Sequence, residues 1–186
     1  MRVTERELWI LNFYRNSELH GALLMGRLAR TVADADVIVH ATRHCATEAR
    51  HAAMLSETIA SLGGRIDPRI ETVQQRYSAR GGVPSSLVNV LVLSEVLEQR
   101  VLATYRAHLA RGDVHPEVHR TLSEILHEME AEDHGAGDSW IERVLVKHSA
   151  GEVEETKRRW RSVDAAVVSE LEELVARRFA AMEPRS

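Results

Sequence analysis

The chain has 186 residues, which is enough for one domain with a substantial hydrophobic core. Its formal net charge of -4 argues against nonspecific nucleic-acid binding, which needs a basic surface, and its single cysteine, Cys45, excludes an internal disulfide. No apolar run is long enough to cross a membrane and the N-terminus has no signal-peptide pattern, so we expect a cytoplasmic protein without a membrane or nucleic-acid partner.

Apolar residues recur with a helical period along most of the chain, and strand patterns are nearly absent, which predicts an all-α protein. The first helix is predicted to run from about Thr4 to Thr31. The second starts near Asp34 or Asp36, either of which can cap its N-terminus, and ends at Gly63–Gly64. The short turn between these two helices makes them antiparallel neighbours.

The next connection, Arg65–Pro84, is too long for a hairpin turn, so we expect it to cross the length of a bundle, with room for a short helix at Ile70–Tyr77. The third long helix is predicted at about Ser85–Arg111. The fourth begins at Pro116, a residue favoured in the first helical turn, and reaches about Lys147. Short, long and short connections between four helices predict a four-helix bundle with one crossover.

A last helix is predicted from about Glu152 to Ala181, with an apolar stripe of its own. We therefore expect residues 1–150 to form the bundle and residues 151–186 to add a helix that packs on this bundle or on a second subunit. The third long helix is apolar beyond one face, and this pattern favours a homodimer. The residues that widen its apolar surface are Val92, Leu93, Val96 and Leu97.

Three acidic residues fall inside the apolar stripes of the predicted helices: Glu18 in the first, Glu48 in the second and Glu98 in the third. On the second helix, His44 and His51 lie beside Glu48, one turn away on either side. A buried glutamate without a partner costs several kcal/mol, so these carboxylates are expected to bind a metal or to form a buried hydrogen-bonded network.

Distances along the helices place these acids at one height. Glu18 and Glu48 are each fifteen residues from the first turn, which is centred near Ala33. Reflecting Glu98 through the second turn leads to residue 129 or 130 of the fourth helix. The motif Glu124-x-x-His127 lies roughly 8 Å too close to that turn, at about 1.5 Å per residue, and is rejected as a ligand pair.

The fourth helix lacks a regular Glu-x-x-His pair at this height, because the two positions hold Met129 and Glu132. The nearest candidates are Glu130 with His134, or Glu130 with Asp133.

Two conformations of this helix stay open. A π-bulge near Glu128 would restore the phase between its two apolar stripes and turn Glu130 and His134 inward, and such bulges are frequent at functional sites. Alternatively, Gly135–Ala136–Gly137 bends or breaks the helix, and the acids face water.

Further side chains could hydrogen-bond to the predicted ligands; they are His44, Tyr14, Tyr105, Glu95 and Asp133. His44 could itself be a nitrogen ligand, because it lies one turn from Glu48. The ordinary alternative for the histidine and the tyrosines is a core side chain whose polar group has a hydrogen-bond partner.

One carboxylate on each helix, with Glu48–Ala49–Arg50–His51 on the second and the acidic cluster Glu128–His134 on the fourth, resembles the ferritin-like superfamily of two-metal carboxylate proteins. The resemblance covers about Leu8–Leu145. The segments Phe13–Gly21 and Glu98–Val101 are similar to bacterial ferritin-like and rubrerythrin-like proteins of this size. The implied fold is a ferritin-like four-helix bundle, with a long crossover between its second and third helices and an additional C-terminal helix.

The resemblance also implies a non-haem centre of two iron ions, or of iron and manganese. The implied ligands are Glu18, Glu48, His51, Glu98, Glu130 and His134. Glu48 and Glu130 would bridge the ions, and the other ligands would each bind one of them. The implied activity is that of an oxidase, oxygenase or peroxide reductase, which acts with O2 or peroxide on a small-molecule substrate and takes electrons from an external reductant.

A second interpretation comes from another class of protein, a non-catalytic helical interaction or scaffold protein with a degenerate metal site. Met129, at a position where a ligand is expected, favours this alternative. The two hypotheses differ in the effect of Glu48→Ala. The substitution abolishes metal binding and leaves the fold intact if the metal site exists, whereas it destabilises the fold if the acids form a structural network.

Overall fold

The computed structural model describes residues 2–134 and 140–180, except for the side chains of residues 132–134. Every regular element of these residues is helical and none forms a strand, which confirms the all-α prediction. The helices of the described residues are α1 (Glu5–Thr31), α2 (Ala35–Ser61), α3 (Val73–Gly81), α4 (Leu87–Leu109), α5 (Pro116–His134), α6 (Trp140–Leu145) and α7 (Ala150–Phe179). Within the same residues, no helix is both long and apolar enough to span a bilayer.

Local capping interactions define the ends of the α1–α2 hairpin. The Thr4 hydroxyl and the Asp34 carboxylate accept hydrogen bonds from backbone amides in the first turns of α1 and α2. At the end of α2, Gly63 takes a φ of 72°, and the Gly64 amide donates to the Ile59 carbonyl at 2.8 Å. This is a glycine-dependent helix stop, because the left-handed conformation is strained for other residues. The predicted bounds of the first two helices are confirmed.

The connection between α2 and α4 runs along α1, which holds it by side-chain hydrogen bonds. The side-chain amides of Asn12 and Asn16 donate to three backbone carbonyls of the connection at 2.9–3.1 Å. The predicted short helix is present as α3, but it begins at Val73 rather than Ile70, because Thr72 caps it. The connection therefore passes beside the middle of α1, where Glu18 lies.

The last helix, α7, packs against α3 and α4 of the same chain. Trp160 is fully buried and stacks on Tyr77 of α3, with ring centroids 6.5 Å apart. Asp164 accepts hydrogen bonds from the Tyr77 hydroxyl and from Arg100 of α4, the latter at 2.8 and 2.5 Å. These contacts tie α3, α4 and α7 into one hydrophobic core.

The packing of α7 and α6 on α4 explains why α4 is apolar beyond one face. The residues that widened its predicted apolar surface, Val92, Leu93, Val96 and Leu97, are all buried within the chain. Their burial removes the observation from which a homodimer was predicted. The oligomeric state stays a prediction.

The predicted fourth helix is described in two parts. α5 is α-helical from Pro116 through His134, so the prediction of a π-bulge near Glu128 is wrong. α6 covers Trp140–Leu145 of the same predicted helix. The alternative prediction, a bend at Gly135–Ala136–Gly137, falls on residues outside the described ranges.

The buried apolar residues form two separate clusters, and both run through α1, α2 and α4. One cluster contains Leu11 of α1 and Leu55 of α2, and the other contains Met25 of α1 and Ala41 of α2. The two helices therefore pass through the clusters in opposite directions. The stretches of these antiparallel helices that lie between the two clusters form a separate layer. Glu18 lies in this layer, level with the middle of α2.

Candidate metal centre

Six polar side chains from four helices meet in the layer between the two apolar clusters. They are Glu18 on α1, His44, Glu48 and His51 on α2, Glu98 on α4 and Glu128 on α5. Spacings of four and three residues place the three α2 side chains on one helix face. The six side chains form two groups, and in each group one histidine lies between two carboxylates.

In the first group, called the inner group here, His51 lies between Glu18 and Glu128. Its Nδ1 is 3.5 Å from Glu18 Oε2, and its Nε2 is 3.0 Å from Glu128 Oε2. His51 and Glu18 are only 2% and 6% exposed. The Tyr105 hydroxyl donates to Glu18 Oε1 at 2.6 Å, and Arg50 forms a two-point ion pair with Glu128.

Opposing effects act on the pKa of His51. Burial lowers it, but the hydrogen bonds and charges of Glu18 and Glu128 outweigh burial, so the pKa of His51 lies above its ordinary value. The ion pair with Arg50 lowers the pKa of Glu128. This arrangement favours an imidazolium between two carboxylates, and His51 must lose its proton before it can bind a metal ion.

In the second group, called the outer group, His44 lies between Glu48 and Glu98. The His44 Nε2 is 3.4 Å from Glu48 Oε1 and 3.5 Å from Glu98 Oε1. The Glu98 side chain is 36% exposed, so this group is accessible from solvent. Burial raises the pKa of Glu48 against the opposing effect of His44, and the nearby charge of Glu18 raises it further.

The Glu48 carboxylate lies against the backbone of α1 at Gly21. A Cβ atom at this position would be 2.2 Å from Glu48 Oε1 and 2.7 Å from its Cδ, which is closer than real Cβ contacts. Glycine therefore provides the space that the carboxylate occupies. Glu48 Oε2 is buried and has no hydrogen-bond partner among the described residues, which leaves this oxygen available for a further partner.

A cavity of about 490 Å³ adjoins both groups. Its polar lining includes Glu18 and His51 of the inner group and all three residues of the outer group. The volume is in the range of small-molecule binding sites, which are typically concave and largely apolar with a few polar groups. Five of the six side chains of the layer are therefore reachable by a small molecule.

The structure does not bring Glu130, a predicted ligand, to this layer. The Glu130 carboxylate accepts hydrogen bonds from Arg106 at 2.6 and 3.2 Å, and its side chain is 37% exposed. Glu128 takes its place. It was missed because reflecting Glu98 through the second turn led to residue 129 or 130. In a regular helix Glu128 follows the buried Ile125 by three residues and shares its face, which was the available signal.

The other predicted residues are found in several places. Tyr105 and His44 contact predicted ligands directly. Tyr14 instead bonds to His108 Nδ1 at 3.2 Å, and Glu95 pairs with Lys157 of α7 at 3.3 Å. The side chains of Asp133 and His134, and of Glu132 beside them, lie outside the described part of the chain, so their predicted roles stay predictions.

No group of three or more His, Cys, Asp or Glu side chains among the described residues is placed to hold a metal ion as it stands. Imidazole nitrogens and carboxylate oxygens face one another instead, at 3.0–3.5 Å. The donor types fit iron or manganese, and coordination requires these side chains to rotate toward the ion. The unpartnered Glu48 Oε2 and the space at Gly21 are the features that best fit such a group.

Comparisons with protein-family models, with curated proteins and with solved structures find no significant match to this chain. A functional proposal therefore depends on the six side chains of the layer and on the cavity beside them.

Proposed function

We propose that α1, α2, α4 and α5 form a ferritin-like four-helix bundle that binds two iron ions, or iron and manganese, in its polar layer. On this proposal the protein is an oxidoreductase that uses O2 or peroxide, a small-molecule substrate and an external reductant. The observation that carries the proposal is the pair of carboxylate–imidazole–carboxylate groups between two apolar clusters.

The balance of charge in the layer supports binding of cations. Four carboxylates meet there, and among the described residues the cations that contact them are Arg50 and, when protonated, His44 and His51. Within these described contacts, four carboxylates face three cations when both imidazoles are charged. Buried carboxylates without sufficient compensation are costly, and divalent ions would supply the missing positive charge.

Each side chain has a role that follows from its contacts. Tyr105 holds the Glu18 carboxylate by a short hydrogen bond, and Arg50 orients Glu128. Burial raises the pKa of Glu48, so this carboxyl group keeps its proton to a higher pH than an ordinary glutamate, and cation binding opposes that effect. The exposed side of the outer group, at Glu98, admits the oxidant and the substrate from the cavity. The bound ions would supply the ability to transfer two electrons to O2 or peroxide.

The first test is the metal content of the chain after anaerobic loading with ferrous iron and removal of the excess. We expect about two ions per chain, as the paired groups require, and a near-ultraviolet absorption band when air is admitted. Glu48→Gln and Glu128→Gln are expected to lower the metal content without changing the helical circular dichroism.

Glu130→Gln is the matched control, because it removes a carboxylate from the same helix as Glu128 but outside the layer. It should leave the metal content unchanged. Equal losses in Glu128→Gln and Glu130→Gln would contradict the assignment of the ligands. About one ion per chain would mean that only one of the two groups binds metal.

A scaffold function is favoured by one specific observation, namely that the histidines and carboxylates already contact one another. In that case the wild-type chain binds no iron, and Glu48→Ala lowers the free energy of unfolding regardless of metal. On the metal proposal, Glu48→Ala abolishes iron binding and leaves the fold intact.

A further inference from the structure

Charges are segregated along the cavity. α2 lines it from His51, which is almost fully buried, through Glu48 and His44 to His40, eleven residues and about 16 Å away along the helix axis. The carboxylates Glu18, Glu48 and Glu98 line the inner part of this path. The inner end of the cavity is therefore acidic.

The other end, called the mouth here, carries an aromatic stack and arginine side chains. The His40 ring lies parallel to that of Trp140 on α6, with centroids 5.3 Å apart and an interplanar angle of 3°. Arg43, one turn from His40, is exposed, lines the cavity, and has no carboxylate partner among the described residues. Arg143 and Glu142 of α6 also line this end.

Apolar side chains form part of the wall of the cavity. It is lined by Leu24, Met25, Leu97, Val101, Leu102 and Met129. An apolar chain or ring fits such a wall, because burying it removes nonpolar surface from water. The cavity thus offers carboxylates at its inner end, apolar side chains along its wall and the Arg43 guanidinium at its mouth.

We infer that the cavity binds an apolar organic molecule that carries one carboxylate, with the carboxylate at Arg43 and the uncharged end toward Glu48 and Glu98. In the metal-free chain, in which binding is tested, the inner carboxylates repel an anion, whereas the planar guanidinium of Arg43 can bind a carboxylate by two hydrogen bonds. This inference names the substrate class of the proposed oxidoreductase and rests on that function. It orients the substrate so that its uncharged carbon atoms, and not its acid group, lie beside the candidate metal ligands.

The test compares octanoate with 1-octanol, which has the same chain length and no charge, on the full chain as purified. Binding is followed by Trp140 fluorescence, with Trp140→Phe to identify the signal, and by calorimetry. Octanoate is expected to bind more tightly than octanol. Arg43→Gln should weaken octanoate binding about tenfold, the effect of one charge-assisted interaction, and leave octanol binding unchanged.

Arg27→Gln is the matched control, because Arg27 is an exposed arginine of α1 that does not line this cavity. It should bind octanoate as the wild type does. Equal affinities for octanoate and octanol, or equal effects of Arg43→Gln and Arg27→Gln, would overturn the inference.

The assay needs no bound iron, so its failure is distinguishable from failure of the metal proposal. A chain that binds iron but does not prefer octanoate would refute only the substrate class. A chain that binds octanoate through Arg43 but takes up no iron would refute the oxidoreductase.

Discussion

Gly21→Ala provides a demanding test of the site, because it places one methyl group against the Glu48 carboxylate. The new Cβ would lie 2.2 Å from Glu48 Oε1, so this oxygen must retreat by about 0.8 Å to reach the 3.0 Å below which real Cβ contacts are essentially not found. Functional groups must hold their geometry to within about 0.5 Å, so the displacement exceeds what a metal site tolerates. We expect iron affinity to fall by about 10- to 100-fold.

The stability of this variant should change little. Alanine in a helix interior is favoured over glycine by about 0.5–1 kcal/mol, and the displaced atoms belong to the end of a flexible side chain, so the gain and the cost nearly cancel. Gly26→Ala is the matched control, because Gly26 is also in α1 and its Cβ would be 3.3 Å from Cys45 Sγ, away from the layer. Iron titrations and urea denaturation of both variants test the argument. If Gly21→Ala binds iron as tightly as Gly26→Ala, the space at Gly21 is not needed by a metal-binding Glu48.

Two further predictions concern buried polar groups. Tyr105→Phe removes the hydroxyl that donates to the buried Glu18 carboxylate, so we expect the free energy of unfolding, measured by urea denaturation, to fall by about 1–3 kcal/mol. For Tyr14→Phe, whose hydroxyl contacts the neutral His108 ring, we expect a fall of about 1 kcal/mol. Burial and the charge of Arg111 lower the pKa of His108 from 6.5 to about 4, so the unfolded chain takes up a proton below pH 6.5 that the folded chain does not. The free energy of unfolding should therefore decrease by up to about 3 kcal/mol as the pH is lowered from about 6.5 to about 4. His108→Gln should abolish this part of the pH dependence; if the variant shows the same dependence of stability on pH as the wild type, the assignment to His108 is wrong.

The inward position of Glu18 and Glu48 could be predicted because it depends on local features. A 3.6-residue period assigns each acid to an apolar face, and a tight turn near Ala33 makes the two positions level. The caps at Thr4 and Asp34 fix the ends of both helices, so the register follows from chain length alone. The structure brings these two residues into one layer.

The choice of Glu128 over Glu130 could not be predicted in the same way. An inserted bulge turns the following residues by about 100°, so the face that each acid presents depends on whether α5 is regular. Whether α5 stays a regular helix depends on how Ile125 and its neighbours pack in the core. It also depends on the ion pairs of Glu128 with Arg50 and of Glu130 with Arg106, because both arginines belong to other helices. A single sequence does not show which residues of other helices come into contact with α5.

By itself, the sequence determined the helical class, the bounds of α1 and α2, and the height at which acids accumulate, because period, caps and turn length are local properties of the chain. Only the tertiary structure decided which side chains meet. It covered the apolar surface of α4 with α7, opened the cavity beside His44 and Glu98, and placed His40 and Arg43 at its mouth. The physical reason is that the apolar stripe of a helix determines how much of its surface must be buried, whereas the packing of the whole chain determines which other helix covers that surface.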